Sequence, residues 1–220
     1  MKAFIIRLLT MITGLIFFAA GIVLAIKANI GYAPWDIFHV GIANTTGLSI
    51  GLVSIFVGII LVIIVVILGE KLGIGTILNM VLIGLFIDIL FPLVPAAFNP
   101  VIGTVMLVAG IFLLSIGTYF YIRPALGAGP RDSLMTVLAR KTKFPVGLCR
   151  CVIEFSVTIA GWLLGGMVGF GTIIFVIAIG FCIQITFKVF KFDVTAIKHE
   201  NLRETYMKFF QNPAGIEKQR

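Results

Sequence analysis

The chain has 220 residues, 60% of them hydrophobic and 12% charged, with a mean hydropathy of +1.17. That composition excludes a soluble globular domain. A formal charge of +8 would suggest nucleic acid as the partner of a soluble protein; set between apolar stretches it reads as membrane topology, and no nucleic-acid partner is expected.

Apolar runs of about 20 residues suffice to cross a hydrocarbon core of roughly 30 Å. The first covers 5–26. Met1 and Lys2 lend it the look of a signal peptide, but it is too long for a signal core and is expected to be an uncleaved span. Next comes Gly31-Tyr32-Ala33-Pro34-Trp35-Asp36, which opens a mixed stretch to Gly47. Gly permits a tight turn, Pro34 suits the first helical position, and Asp36 complements a positive helix start. A helix of about 12 residues reaches only about 18 Å, too short to cross. Spans at 50–68, 75–93 and 101–122 follow. Gly127-Ala128-Gly129-Pro130-Arg131-Asp132 then repeats the helix-start pattern, running to Lys143, before spans at 147–164 and 171–187. The sequence thus predicts an all-α polytopic membrane protein with six transmembrane helices and two short half-helices. The membrane domain is expected over 1–190. A basic amphipathic tail, 191–220, presents Leu202, Tyr206 and Phe209 on one helical face and is expected to lie against the anionic inner leaflet.

The two halves match each other. A shift of 96 residues carries Gly14, Gly21, Gly31, Pro34, Asp36 and Gly51 onto Gly110, Gly117, Gly127, Pro130, Asp132 and Gly147. The same shift carries Gly73, Gly75, Thr76 and Gly84 onto Gly169, Gly171, Thr172 and Gly180. Chance matches in an apolar chain favour Leu and Ile, so the recurrence of Gly and Pro-x-Asp marks a repeat, about 1–94 and 97–190. With the N-terminus in the cytoplasm, Lys27 alone of the 17 Lys and Arg residues falls outside. Both termini are then cytoplasmic in a multi-pass protein of the cell membrane. Letting both half-helices cross would make eight spans and move Lys71, Arg123 and Arg131 outside, against that asymmetry. Three spans per copy is an odd number, so the copies are expected in opposite orientations, as an inverted 3+3 repeat. In transporters that arrangement places the site at the pseudo-twofold axis.

Ionisable groups within spans are costly and mark candidate sites. Asp88 has no partner at helical spacing, and its counterpart in the second copy is Gln184. Glu154 follows Arg150 by four residues and is expected to pair with it. The candidate substrate- or ion-binding residues are Asp36, Asp132, Asp88, Gln184, Pro34, Pro130, Arg131 and Glu154. Against this stands a simpler reading, in which Asp36 and Asp132 only complement helix starts and the second half-helix, rich in Arg and Lys, lies at the interface. His39 reads as a hydrogen-bonded surface histidine. Gly14 and Gly21, like Gly110 and Gly117, lie seven apart on one face and predict close approach of the first and fourth spans. Cys149, Cys151 and Cys182 read as thiols packed among helices, without a bridge. No Walker loop, metal-ligand cluster, nucleophile elbow or dinucleotide fingerprint occurs, so neither enzyme activity nor a cofactor is expected.

The paired Gly-x-x-Pro-x-Asp motifs within six spans resemble the bacterial YczE/YyaS/YitT group of integral membrane proteins, above all its YczE branch. The resemblance covers roughly 5–187 and is most specific at the two motifs. It implies a bacterial cytoplasmic membrane protein and brings no catalytic residues with it. The functional expectation is a small-solute or ion transporter, with the lipid bilayer as its surroundings and protons moving through Asp88 or the Asp36/Asp132 pair. The alternatives are a non-transporting membrane scaffold or regulator, and a substrate-capture subunit of a multi-subunit importer. A homo-oligomer is compatible with each.

Overall fold

In hydrocarbon every backbone N–H and C=O must find its partner within its own segment, so each apolar run is driven into a helix. The computed structural model describes residues 2–194 and 197–210. In chain order the helices are α1 (Lys2–Lys27), α2 (Pro34–Thr46), α3 (Ile50–Ile67), α4 (Ile74–Leu90), α5 (Pro100–Ile122), α6 (Pro130–Thr142), α7 (Val146–Leu163), α8 (Phe170–Val189) and α9 (Leu202–Phe210). A 3-10 turn, Phe91–Leu93, extends α4. Six helices, α1, α3, α4 with its extension, α5, α7 and α8, are long and apolar enough to cross a membrane, and the described residues contain no strand. Their outward faces carry exposed Ile60, Ile67, Phe155, Trp162 and Ile177, a surface suited to lipid and not to water.

The centre is built from α1 and α5. A Cβ placed on Gly14 would fall 2.9 Å from the Gly117 carbonyl oxygen, and one on Gly21 would fall 2.6 Å from that of Gly110. The backbones therefore touch, which side chains larger than hydrogen would forbid. Because residue 14 meets 117 while residue 21 meets 110, the two helices run antiparallel. Met11, Leu15, Leu107 and Ile111 fill the seam around these glycines, all at most 1% exposed. Helix α4 packs on α1, and α8 packs on α5.

The local backbone repeats as the sequence does. Among the described residues, all left-handed φ values but that of Lys191 fall in pairs 96 residues apart: 53° at Asn29 and 56° at Ala125, 119° at Gly31 and 135° at Gly127, 74° at Gly47 and 62° at Lys143, 85° at Gly69 and 90° at Gly165. The halves also hook each other reciprocally. Gly75 N–H donates to the Leu126 carbonyl at 2.8 Å, and its counterpart Gly171 donates to Ile30, the counterpart of Leu126, at 2.7 Å.

The short helices hold to the half that is not their own. Helix α2 lies on α7, where Gly161 leaves room for the Phe38 backbone. Helix α6 lies on α3, where Leu134 and Val137 pack with Leu61 and Val65 and Arg140 reaches Glu70 at 2.6 Å. One end of the bundle gathers Arg7, Lys71, Arg123, Arg140 and Lys188 and is called here the basic end; Lys27 sits at the opposite end, beside Phe91.

Two features depart from symmetry. At the opposite end α3 and α4 are clasped, with Gly51 against the Gly84 carbonyl. There the Ser49 hydroxyl and Gly51 N–H donate to Asp88 at 2.5 and 2.8 Å. Asp88 therefore has close partners, contrary to the lone intramembrane acid expected: Ser49 lies 39 residues away and cannot be seen by helical spacing. At the basic end the equivalent helices α7 and α8 are not packed together, and a Cβ on Gly147 or Gly180 would meet nothing within 4 Å. The second departure is the tail. Glu200 pairs with Arg7 at 2.9 Å, its N–H donates to Ala125, and Leu202 N–H donates to Leu72, each at 2.8 Å. The start of the tail is thus strapped across helix ends, a contact the amphipathic pattern did not indicate. The side chains of Tyr206 and Phe209, and residues 211–220 of the expected tail, lie outside the described residues.

Candidate functional site

Both half-helices begin in the same way. Gly31 and Gly127 turn the chain with positive φ, Ala33 and Gly129 are extended, and Pro34 and Pro130 occupy the first helical turn. Proline costs nothing there, since the first N–H groups of a helix have no internal acceptor. The start of α2 is buried, with Trp35 7% and Asp36 3% exposed. At the start of α6 Pro130 is buried, Arg131 half-buried and Asp132 exposed, and the finishes at Thr45, Thr46, Arg140 and Lys141 are open. The first turn of α6 opens onto the cavity described below, and its basic finish is exposed.

The two starts meet. The Arg131 guanidinium lies 4.7 Å from the Trp35 ring centroid, over the face of the indole, a cation–π contact of about 0.5–2 kcal/mol. Trp35 and Arg131 are the same position in the two halves, 96 residues apart. Arg131 also comes within 3.4 Å of the His39 ring, and it interacts electrostatically with Asp36, Asp132 and Glu154. The Tyr121 hydroxyl donates to Asp132 at 2.8 Å. Arg150 and Glu154 pair at 2.8 Å, as their spacing predicted.

These groups line a cavity of about 560 Å³, within the usual range for a small-molecule site. Of the residues singled out from sequence, Pro34, Asp36, Pro130, Arg131, Asp132 and Glu154 line it. Asp88 does not, being spent on the α3–α4 clasp, and Gln184 is exposed on α8 outside it. His39, read as a surface residue, is 1% exposed in the cavity wall; it lies one turn beyond Asp36, so a half-helix buried at its start must bury it too. Trp35 and Tyr121 were missed. Trp35 carried a signal, since its counterpart in the repeat is a charged Arg.

One buried polar atom in this cavity has no partner. The Trp35 indole Nε1 has no acceptor, whereas the Asp36 carboxylate accepts no hydrogen bond from a described residue but faces the Arg131 guanidinium electrostatically. Buried polar groups left unpaired are uncommon and costly. Among the described residues no group of three or more His, Cys, Asp or Glu side chains is placed to hold a metal ion. Cys149, Cys151 and Cys182 are free.

Helices that cross a bilayer several times around a central chamber with charged walls define a multi-pass α-helical membrane protein. Within that class the chain belongs to a family of unknown function, DUF6198, whose profile matches residues 5–188. It is 37% identical over 173 residues to the uncharacterized membrane protein YczE of Bacillus subtilis, covering 78% of this chain and 80% of that one. It is 34% identical over 161 residues to an uncharacterized protein of Haemophilus influenzae, covering 73% and 74% of the two chains. No solved structure is significantly similar to it.

Proposed function

We propose that this protein is a small-solute or ion transporter of the bacterial cytoplasmic membrane, built as an inverted 3+3 repeat around one substrate chamber. The observation that carries this reading is the meeting of the two half-helix starts. Each dips to the interior from a different end, and together they bring Asp36, Arg131 and Asp132 into one cavity. Irregular backbone at depth is tolerated only where protein or a wet cavity covers it, and broken helices at a repeat interface are a recurring way to build transporter sites. The antiparallel α1–α5 pair and the paired left-handed residues support the repeat.

The basic end is cytoplasmic on this reading, by the positive-inside rule. The chamber then faces the cytoplasm, parted between α7 and α8, while the Asp88 clasp holds α3 to α4 on the external side. Transport requires the opposite state, with Gly147 drawn onto Gly180 and Gly51 released from Gly84. The protein performs no covalent chemistry in this scheme.

The test is transport by the purified protein in liposomes, with abundance measured alongside. Asp36→Asn and Asp132→Asn are each expected to cut transport per molecule by roughly tenfold or more, the scale of a lost charge-assisted contact, while membrane abundance stays near the parent level. If both acids only complement helix starts, their loss costs about 0.3–1 kcal/mol of stability and activity merely follows abundance. Normal transport per molecule in both variants would overturn the assigned site.

A further inference from the structure

The chamber also constrains what it carries, if it is the substrate chamber proposed above. Glu154 is matched by Arg150 at 2.8 Å. That leaves the Asp36 and Asp132 carboxylates facing the single Arg131 guanidinium, an excess of one negative charge. The cation is poorly placed to receive an anion. It is held between the Trp35 face and His39, and acids surround it.

The polar groups of the wall add direction. The Asp36 carboxylate, on a residue 3% exposed, faces Arg131 and accepts no hydrogen bond from a described residue, so it is open to a donor; Trp35 Nε1, on a residue 7% exposed, needs an acceptor. A ligand completing the site therefore presents an N–H-bearing cation and, beside it, a hydrogen-bond acceptor. A quaternary ammonium fits less well, because it has no N–H for Asp36 and the Trp35 face that would attract it is already covered by Arg131. The remaining walls, including Ile22, Val57, Leu61, Ile83, Phe175 and Ile183, are mostly apolar, with Ser54, Asn79 and Thr118 among them, and call for a largely apolar body.

We propose that the chamber binds an amphipathic protonated amine, with its ammonium on Asp36 and Asp132, a neighbouring acceptor on the Trp35 indole N–H, and its apolar part against the aliphatic wall. No bond is made or broken. The excess negative charge of the site is neutralised by the bound cation, which is the electrostatic reason for the preference.

Trp35 serves as the reporter. The chain has two tryptophans, and Trp162, 60% exposed, lies outside the chamber, so Trp162→Phe protein in nanodiscs leaves Trp35 alone. The probes share one skeleton: 2-amino-1-phenylethanol, its N,N,N-trimethyl derivative, 1-phenyl-1,2-ethanediol and mandelate. The primary amine should change Trp35 emission saturably, with roughly tenfold or weaker binding for the other three. Asp36→Asn should weaken amine binding by a similar factor without lowering the melting temperature. Tighter binding of mandelate or the diol, equal amine binding by Asp36→Asn, or no saturable change across the set would overturn the assignment. Counterflow of the same four compounds in liposomes separates this from the transport reading. Movement of mandelate or the diol without amine binding overturns the amine and keeps the transporter; amine binding that depends on Asp36, without movement of any probe, keeps the site and overturns transport.

Discussion

Gly21 and Gly180 sit in helices of similar apolar composition and have opposite surroundings. A Cβ on Gly21 would lie 2.6 Å from the Gly110 carbonyl and 2.8 Å from the Leu114 amide nitrogen, both backbone atoms that cannot yield without parting α1 from α5. A Cβ on Gly180 meets nothing within 4 Å. Gly21→Ala is therefore expected to destabilise by about 1–3 kcal/mol, as overpacking does. Gly180→Ala is expected to be neutral or to stabilise by up to about 1 kcal/mol, through helix propensity alone. Thermal unfolding of both variants in one detergent checks the contrast, and equal melting temperatures would contradict the packing described. Gly180→Leu extends the test to the transporter proposed above: it should fold normally yet fail to transport, because the closed α7–α8 state that this proposal requires would have no space for it.

Among the elements, the tail strap responds to pH. Asn201 and Glu204 form a capping box that starts α9, with Asn201 Oδ1 accepting from Glu204 N–H at 2.9 Å and Glu204 accepting from Asn201 N–H at 3.1 Å. This fixes the chain just after Glu200 and brings His199 toward Asp132. Burial lowers the His199 pKa below its ordinary value, and the Asp132 carboxylate opposes that in part. A depressed imidazole favours the neutral form in the docked tail, so docking is fully supported above the undocked pKa, about 6.5. Support is lost as pH falls from there through the lower docked value. Protease cleavage of the tail should accordingly rise on acidification below about pH 6.5, and His199→Gln should flatten that dependence. Unchanged cleavage from neutral pH to pH 5 in the parent protein would show that His199 does not govern docking.

For the molecule as a whole the orientation proposed above rests on charge. Basic side chains from Arg7, Lys71, Arg140 and the tail gather at one end, whereas exposed Phe98 and Val168 belong to connections without a basic residue at the other. In a background lacking Cys149, Cys151 and Cys182, Phe98→Cys and Val168→Cys should react with an impermeant thiol reagent added outside intact cells. Lys71→Cys should react only after the membrane is opened. Labelling of Lys71→Cys from outside would reverse the assigned topology and the direction in which the chamber faces.

Helix positions were legible in the chain because apolar length and the demand for internal hydrogen bonds are local properties; the runs at 50–68 and 101–122 became Ile50–Ile67 and Pro100–Ile122. The half-helix starts were legible for the same reason, since Gly-x-x-Pro-x-Asp is chemistry within one turn. The glycine face that joins α1 to α5 could be read because small residues seven apart have few other uses in an apolar helix. The partners of the polar groups could not. Asp88 is tied to Ser49, and Arg131 rests on Trp35 across 96 residues, and both contacts exist only after antiparallel packing brings distant turns together. Gly51 and Gly84 carry the same letters as Gly147 and Gly180, yet one pair is in contact and the other is parted. A residue's identity sets its own conformational freedom, but what stands opposite it depends on how the helices pack.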